Sequence, residues 1–151
     1  RSGNTRPTLR PSIASIKIFD DGWFRTGDIG QFRDGLLFLA SRKRDMIIRG
    51  GENIYPLEIE NRIDDHPDVV EVAVVGVDHR ELGQEVKAII VPKPGGTIGE
   101  QAIKDFVAET LAYYKVPSHI EIRSEPLPRN ATGKVLKQVL LGEAENTFSE
   151  E

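Results

Sequence analysis

The stretch Ser41-Arg42-Lys43-Arg44-Asp45-Met46-Ile47-Ile48-Arg49-Gly50-Gly51-Glu52-Asn53-Ile54-Tyr55-Pro56-Leu57-Glu58-Ile59-Glu60 decides how this chain folds. Met46-Ile47-Ile48 is a short apolar run stopped by Gly50-Gly51, and it reads as a strand that breaks into a turn. Pro56 suits the first turn of a helix, where its missing N–H costs nothing. Leu57, Glu58, Ile59, Glu60 and Ile63 then put acids near the positive end of the helix dipole and an apolar stripe along one face. His66-Pro67 ends that helix, because the residue before a proline avoids the helical region.

Short strands alternate with helices on both sides of this stretch. Upstream, Ile29–Phe32 and Leu36–Leu39 flank Asp34-Gly35, a dipeptide suited to the positive φ angles of a tight hairpin. Downstream, Val69–Val77 and Val86–Val91 are rich in β-branched residues and read as strands, the second stopped by Pro92, Pro94 and Gly95-Gly96. Ile98-Gly99-Glu100 leads into a helix expected to run to about Tyr114, since Ile103, Phe106, Val107, Thr110, Leu111 and Tyr114 recur at three- and four-residue steps. Ile120 and Ile122 alternate with Glu121 and Arg123 in a further strand. Val135, Leu136, Val139 and Leu140 predict a closing amphipathic helix, with Gly142 at its end. There is no internal repeat. The fold class is α+β: a small mixed β-sheet flanked by helices and preceded by a β-hairpin.

The 151 residues suit one ordinary domain, or a small domain with a piece of another. Having no cysteine, the chain excludes a disulfide scaffold, a thiolate metal site and cysteine nucleophile chemistry. Its longest apolar stretches, such as Val72–Val75, are far too short to cross a bilayer, and the first residues lack the hydrophobic run of a secretory signal. A cytoplasmic protein is the expectation. The net charge of −4 hides an asymmetry, because Arg1, Arg6, Arg10 and Lys17 stand in residues 1–18 without an acid. That segment reads as an unassigned basic arm without periodicity, and the acidic body argues against nucleic acid as a partner.

Three segments depart from what a plain core needs. In Gly22-Trp23-Phe24-Arg25-Thr26-Gly27-Asp28 a glycine lets the backbone turn and aim a carboxylate outward, as carboxylates that accept ribose hydroxyls do; taken alone, Gly-Asp before a strand is more often a plain turn. Ser41–Glu60 offers cations for phosphate or ribose oxygens and a Gly-Gly turn past which a thin ligand can run, or else a solvated charge cluster with a β-turn. Leu127-Pro128-Arg129-Asn130-Ala131-Thr132-Gly133-Lys134 looks like half of a phosphate-binding loop. Pro128 stands where a full loop would have its upstream glycine, so the reading is a flexible loop presenting one ammonium to a phosphate or carboxylate.

Taken together and in this order, the three segments closely resemble the C-terminal part of the adenylate-forming enzymes: acyl-CoA synthetases, peptide-synthetase adenylation domains and luciferases. The likeness runs from Asp21 to about Leu141. It implies that ATP and a carboxylate give an acyl-adenylate and pyrophosphate, after which the small domain swings about a hinge and a thiol attacks. By resemblance, Asp28 is the ribose-binding aspartate and Arg42 the ribose-contacting arginine. Arg44 falls on the hinge, where relatives usually carry Lys or Asp. Lys134 matches the catalytic lysine of adenylation. Gly50, Gly51 and Glu52 match the turn beside the pantetheine tunnel, and Tyr114 and Lys115 a place where some relatives touch the CoA nucleotide. No metal ligand is assigned.

Met46-Ile47-Ile48-Arg49-Gly50-Gly51-Glu52-Asn53-Ile54-Tyr55-Pro56 is most like the fatty-acyl-CoA ligase branch; peptide-synthetase relatives usually read Val-Lys-Ile-Arg-Gly-x-Arg-Ile-Glu there. The resemblance implies ATP with Mg2+, held mainly by a large N-terminal adenylating domain, and coenzyme A as co-substrate. Residues 19–41 are then the end of that large domain and 42–151 the mobile C-terminal domain, these 151 residues being inactive alone. The apolar hairpin, with Trp23, Phe24, Phe32, Leu37 and Phe38, would lean on the large domain or self-associate. Two alternatives remain: a stand-alone interaction module with the same fold, or an adenylation domain with a carrier-protein acceptor.

Overall fold

A computed structural model describes Gly22 and residues 26–142, the side chains of Ala40 and Ser41 excepted. The basic arm and the roles given to Trp23 and Phe24 lie outside the described residues.

The hairpin forms as its turn dipeptide predicts. β1 (Asp28–Arg33) and β2 (Leu36–Arg42) pair antiparallel. Asp34 and Gly35 turn the chain with φ of 51° and 77°, angles that only Asn, Asp and Gly adopt readily. A 3-10 turn at Lys43–Asp45 leads to β3 (Ile47–Arg49), which pairs antiparallel with β4 (Glu52–Ile54) across Gly50 and Gly51, both at positive φ. β4 was not expected from the sequence, because three residues are too few to show a period of two. α1 (Pro56–Asp64) follows, with Pro56 in its first turn as predicted.

β5 (Val69–His79) and β6 (Gly83–Pro92) form the long central hairpin. β7 (His119–Ile122) runs parallel to β6 on its other side, beyond the single pairing of Arg49 with Gly83 that joins β3 to β6. The sheet is therefore mixed, with β5 on its edge.

Val69–Val77 carries apolar residues on both sides of the strand, interrupted by Glu71, because both faces of β5 are covered around Ala73–Val75. On one face, Val74, Val86, Ala88 and Ile90 join Ile47, Ile54, Ile59, Ile63, Ile103 and Val107 in the main core beneath α1 and α2. On the other, Ala73, Val75, Ile89 and Val91 meet Leu127, with Val135, Leu140 and Leu141 packed outside them.

Two helices are shorter than expected. α2 spans Glu100–Ala108, and the chain leaves it through extended Ala112 into a 3-10 turn at Tyr113–Lys115. Leu111 and Tyr114 still pack on the core, so the spacing gave their burial correctly but not their backbone. Pro117 holds Val116 extended, at φ −65° and ψ 126°, and no helix can continue into it. The closing helix α3 covers only Lys137–Leu140, because Val135 is drawn into an antiparallel bridge with Arg129. Gly142, at φ 73°, ends it by giving its N–H to the Val139 carbonyl.

Candidate functional site

The open end of the β1–β2 hairpin sets two of the candidate residues opposite each other. Asp28 and Arg42 are register partners, with Arg42 Nε 3.4 Å from Asp28 Oδ1. The Asp28 N–H donates to Thr26 Oγ1 at 3.1 Å, and the Lys43 N–H closes the end onto the Gly27 carbonyl at 2.8 Å. An ion pair of 3.4 Å with both side chains partly in water is weak, so hydroxyl groups can compete for that carboxylate.

Lys134 arrives from the far end of the chain. The segment before it is a closed turn rather than the flexible loop expected. Asn130 Oδ1 accepts the Thr132 N–H (3.1 Å), the Thr132 hydroxyl (2.7 Å) and the Lys134 N–H (2.9 Å). The Asn130 N–H reaches back to the Lys134 carbonyl at 2.9 Å, while Gly133 takes φ 82°. Side-chain oxygens of Asn commonly stand in for a backbone turn in this way, which is the signal in the sequence that could have foretold a closed turn.

Asp28, Arg42, Asp45 and Lys134 all line one cavity of about 310 Å³, whose apolar wall is Leu39, Leu57, Val72, Ala73 and Val135. A second hollow of about 690 Å³ adjoins it and shares Arg42, Asp45 and Lys134, with Arg44 and Asn130 on its rim. Sequence reasoning named Asp28, Arg42 and Lys134 separately, and the fold brings them together. It missed Lys137 and Glu60, which line the same cavity and pair at 2.6 Å.

The cations crowd one another. Slight burial against the cavity wall lowers the pKa of the Lys134 ammonium below the ordinary lysine value. Arg42, Arg44 and Lys137 push the same way, and Asp45 opposes them. Arg44 sits in the middle of the 3-10 turn and pairs with Asp45 at 3.3 Å. Extended residues flank that turn on both sides, at Arg42 and Met46.

The other group of candidates lies apart, and none of its residues lines either cavity. The Gly50 N–H is tied to the Leu82 carbonyl at 2.8 Å. Arg49 donates to the Tyr114 carbonyl at 3.3 Å and pairs with buried Glu85 at 3.2 Å, which joins the Gly50–Gly51 turn to the Tyr113–Lys115 turn. Lys115 is bound to Glu58 at 2.7 and 2.8 Å, and Tyr114 packs on the core, whereas Tyr113 beside it is 84% exposed. Among the described residues no group of three or more His, Asp or Glu is placed to hold a metal ion. The resemblance places the Mg2+ mainly with the large adenylating domain.

An anionic nucleotide, a ribose acceptor and a lysine set against them are what this cavity can bring together. The sequence profile of the AMP-binding enzyme C-terminal domain family matches residues 58–134. Over 128 residues the chain is 50% identical to the long-chain-fatty-acid–CoA ligase FadD13 of Mycobacterium tuberculosis, covering 84% of this chain and 25% of that protein. The indoleacetate–CoA ligase of Aromatoleum aromaticum is 46% identical over 125 residues, 82% of this chain and 24% of that protein. The crystal structure of ATP-bound MatB from Rhodopseudomonas palustris superposes with a TM-score of 0.75 at 42% identity, covering 82% of this chain and 24% of that one. The chain belongs to the family of AMP-binding enzyme C-terminal domains, the smaller part of the adenylate-forming enzymes. It spans about a quarter of the length of the curated relatives it matches.

Proposed function

We propose that these residues are the mobile C-terminal part of an ATP-dependent acid–thiol ligase that makes a fatty-acyl-CoA. The supporting observation is the convergence of Asp28, Arg42 and Lys134 on one cavity of about 310 Å³, although more than ninety positions separate Arg42 from Lys134. Residues 19–41 are the end of a large adenylating domain, and 42–151 the domain that swings.

In the first step a carboxylate oxygen attacks the α-phosphorus of ATP, an acyl-phosphate bond forms, and pyrophosphate leaves. Asp28 accepts the ribose hydroxyls in place of its weak bond to Arg42, and Arg42 turns to the nucleotide's oxygens. The Lys134 ammonium lies where the carboxylate and α-phosphate charges must meet, and a preorganised donor there contributes about 10²–10³ in rate. Arg44 is the hinge of the swing. In the second step the CoA thiolate attacks the acyl carbon, AMP leaves, and the pantetheine arm runs past Gly50, Gly51 and Glu52, with Tyr114 and Lys115 toward its nucleotide end.

The fatty-acyl substrate rests on the likeness to FadD13, since the residues that would line an acyl pocket are not among those described. On this reading the 151 residues alone do not form an adenylate, because positioning the triphosphate and carboxylate is the larger part of such a barrier. The test joins these residues to a large adenylating domain of the same family and times each half-reaction with fatty acids and with arylacetates. Lys134→Ala should slow adenylate formation by at least about 10² while leaving CoA attack on supplied acyl-adenylate near the parent rate. Equal loss of both steps would assign Lys134 to the fold or the interface.

A further inference from the structure

A lysine carries its charge on a flexible four-carbon stem, so the fold can place the ammonium only by placing the Cα beneath it. Lys134 lies in an exposed turn, outside every strand and helix. Its backbone is nevertheless held on both sides by one residue. Asn130 takes the Lys134 N–H on its side-chain oxygen and gives its own N–H to the Lys134 carbonyl, each at 2.9 Å. The same oxygen also holds Thr132 twice, which closes the turn from within.

A second tie fastens the turn to the sheet. Arg129 donates from one guanidinium nitrogen to the Gly133 carbonyl and from another to Glu71 Oε2 on β5, both at 2.8 Å. That carboxylate oxygen also accepts the Leu127 N–H at 3.4 Å. The peptide just before Lys134 is thus referenced, through Arg129, to a strand of the core.

We propose that Asn130 is a positioning residue for Lys134, closing the turn so that the ammonium stands at the cavity before any substrate arrives, with Arg129 and Glu71 anchoring that turn to β5. The proposal rests on Lys134 serving adenylation, and it adds residues for which no role was read from the sequence. Preorganisation of this kind matters because a misplacement of about 1 Å can cost about 10² in rate.

Asn130→Ala removes the acceptor and opens the turn, whereas Asn130→Asp keeps an oxygen for all three donors. Two readouts separate positioning from a merely structural role. In the 151-residue chain, the Lys134 side chain is titrated by carbon-13 NMR, facing Arg44 and Asp45 from the 3-10 connection, Asp28 and Arg42 from the hairpin, Glu60 from α1 and Lys137 from α3. Asn130→Ala should bring Lys134 back toward the ordinary lysine value, with the melting temperature of the fold little changed. In the enzyme with its large domain, Asn130→Ala should slow adenylate formation by about 10 to 10² and spare CoA attack, while Asn130→Asp recovers most of the loss.

Unchanged titration and unchanged adenylation in Asn130→Ala would overturn the proposal, as would an equal fall in both half-reactions. If Asn130→Ala does not fold, Arg129→Ala, which cuts the ties to both the Gly133 carbonyl and Glu71 and leaves Asn130 in place, carries the same test with the same expected split. Lys134→Ala run in parallel keeps the two readings apart. Should it leave adenylation intact, the assignment of Lys134 fails, and the titration alone still reports whether Asn130 places it.

Discussion

Glu60 uses one carboxylate oxygen to bind two parts of the fold, taking the Lys137 ammonium at 2.6 Å and the Val74 N–H at 2.8 Å. Val74 lies on β5, the edge of the sheet, so that N–H has no partner strand and would otherwise be left without a bond. Removing the acceptor should cost about 1–3 kcal/mol, the penalty of a part-buried donor left unpaired together with a freed lysine. Glu60→Ala should therefore lower the melting temperature clearly, and Glu60→Gln, which keeps an oxygen for Val74, should lower it less. Equal losses from the two substitutions would show that the ion pair, not the edge N–H, carries the effect.

What could be read from the sequence followed the length of each signal. The turn Asp34-Gly35, the helix start at Pro56 and the strands around Val74 and Ile89 each rest on several residues agreeing, and each appears where expected. β4 has three residues, and α3 gives up Val135 to a bridge with Arg129 that no local pattern announces. Asp28, Arg42 and Lys134 enter as candidates through the resemblance that three ordered segments carry together; read alone, the first two segments suit a plain turn and a solvated charge cluster. Their meeting, and the network of Glu60, Lys137, Glu71 and Arg129 behind them, depends on contacts between distant segments that spacing does not encode.

The hairpin leaves an apolar surface in water. Its register sets Phe32 opposite Leu37 and Gly30 opposite Leu39, so Phe32, Leu37 and Leu39 share one face, exposed by 74%, 55% and 58%. A contiguous patch of this kind beside an unpaired strand edge favours association. Sedimentation of the 151-residue chain should show mass rising with concentration, and Phe32→Ser with Leu37→Ser should suppress it without lowering the melting temperature. A monomer throughout the concentration range would show that the patch needs no cover.

Gly76 is fixed by what lies over it. A Cβ there would come 2.8 Å from Gln84 Nε2 and 3.2 Å from Ile47 Cγ1. The Gln84 amide is not free to move aside, because its oxygen accepts the Ile48 N–H at 2.9 Å. Gly76→Ala should destabilise by about 1–3 kcal/mol through overpacking. Gln84→Ala added to it should cost less than the two separate losses combined, since the clash and the lost bond share one side chain. Strict additivity in denaturant titrations would place the strain elsewhere.

If Lys134 has the role proposed for it, the crowded cations give adenylation a pH dependence whose direction follows from the geometry. In that role Lys134 acts as an ammonium, and its pKa lies below the ordinary lysine value, chiefly because of burial and then because of Arg42 and Arg44. Adenylate formation should be full at pH below that pKa and fall as pH rises through it, earlier than an ordinary lysine would allow. The folded state binds this proton more weakly than the unfolded state does. The same group should therefore add slightly to stability as pH rises from the folded pKa toward the unfolded one, an effect kept small by solvent around an exposed side chain. Arg44→Gln removes a repelling cation and also frees Asp45 from its 3.3 Å pair, and both changes favour the ammonium. The falling limb should then move to higher pH. Asp45→Asn removes a charge that opposes the shift, and the limb should move to lower pH. Single-turnover adenylation across the alkaline range reads both shifts, with CoA attack on supplied adenylate as the internal control. Shifts of the same sign in the two variants, or a limb that ignores both, would mean that the titrating group is not Lys134.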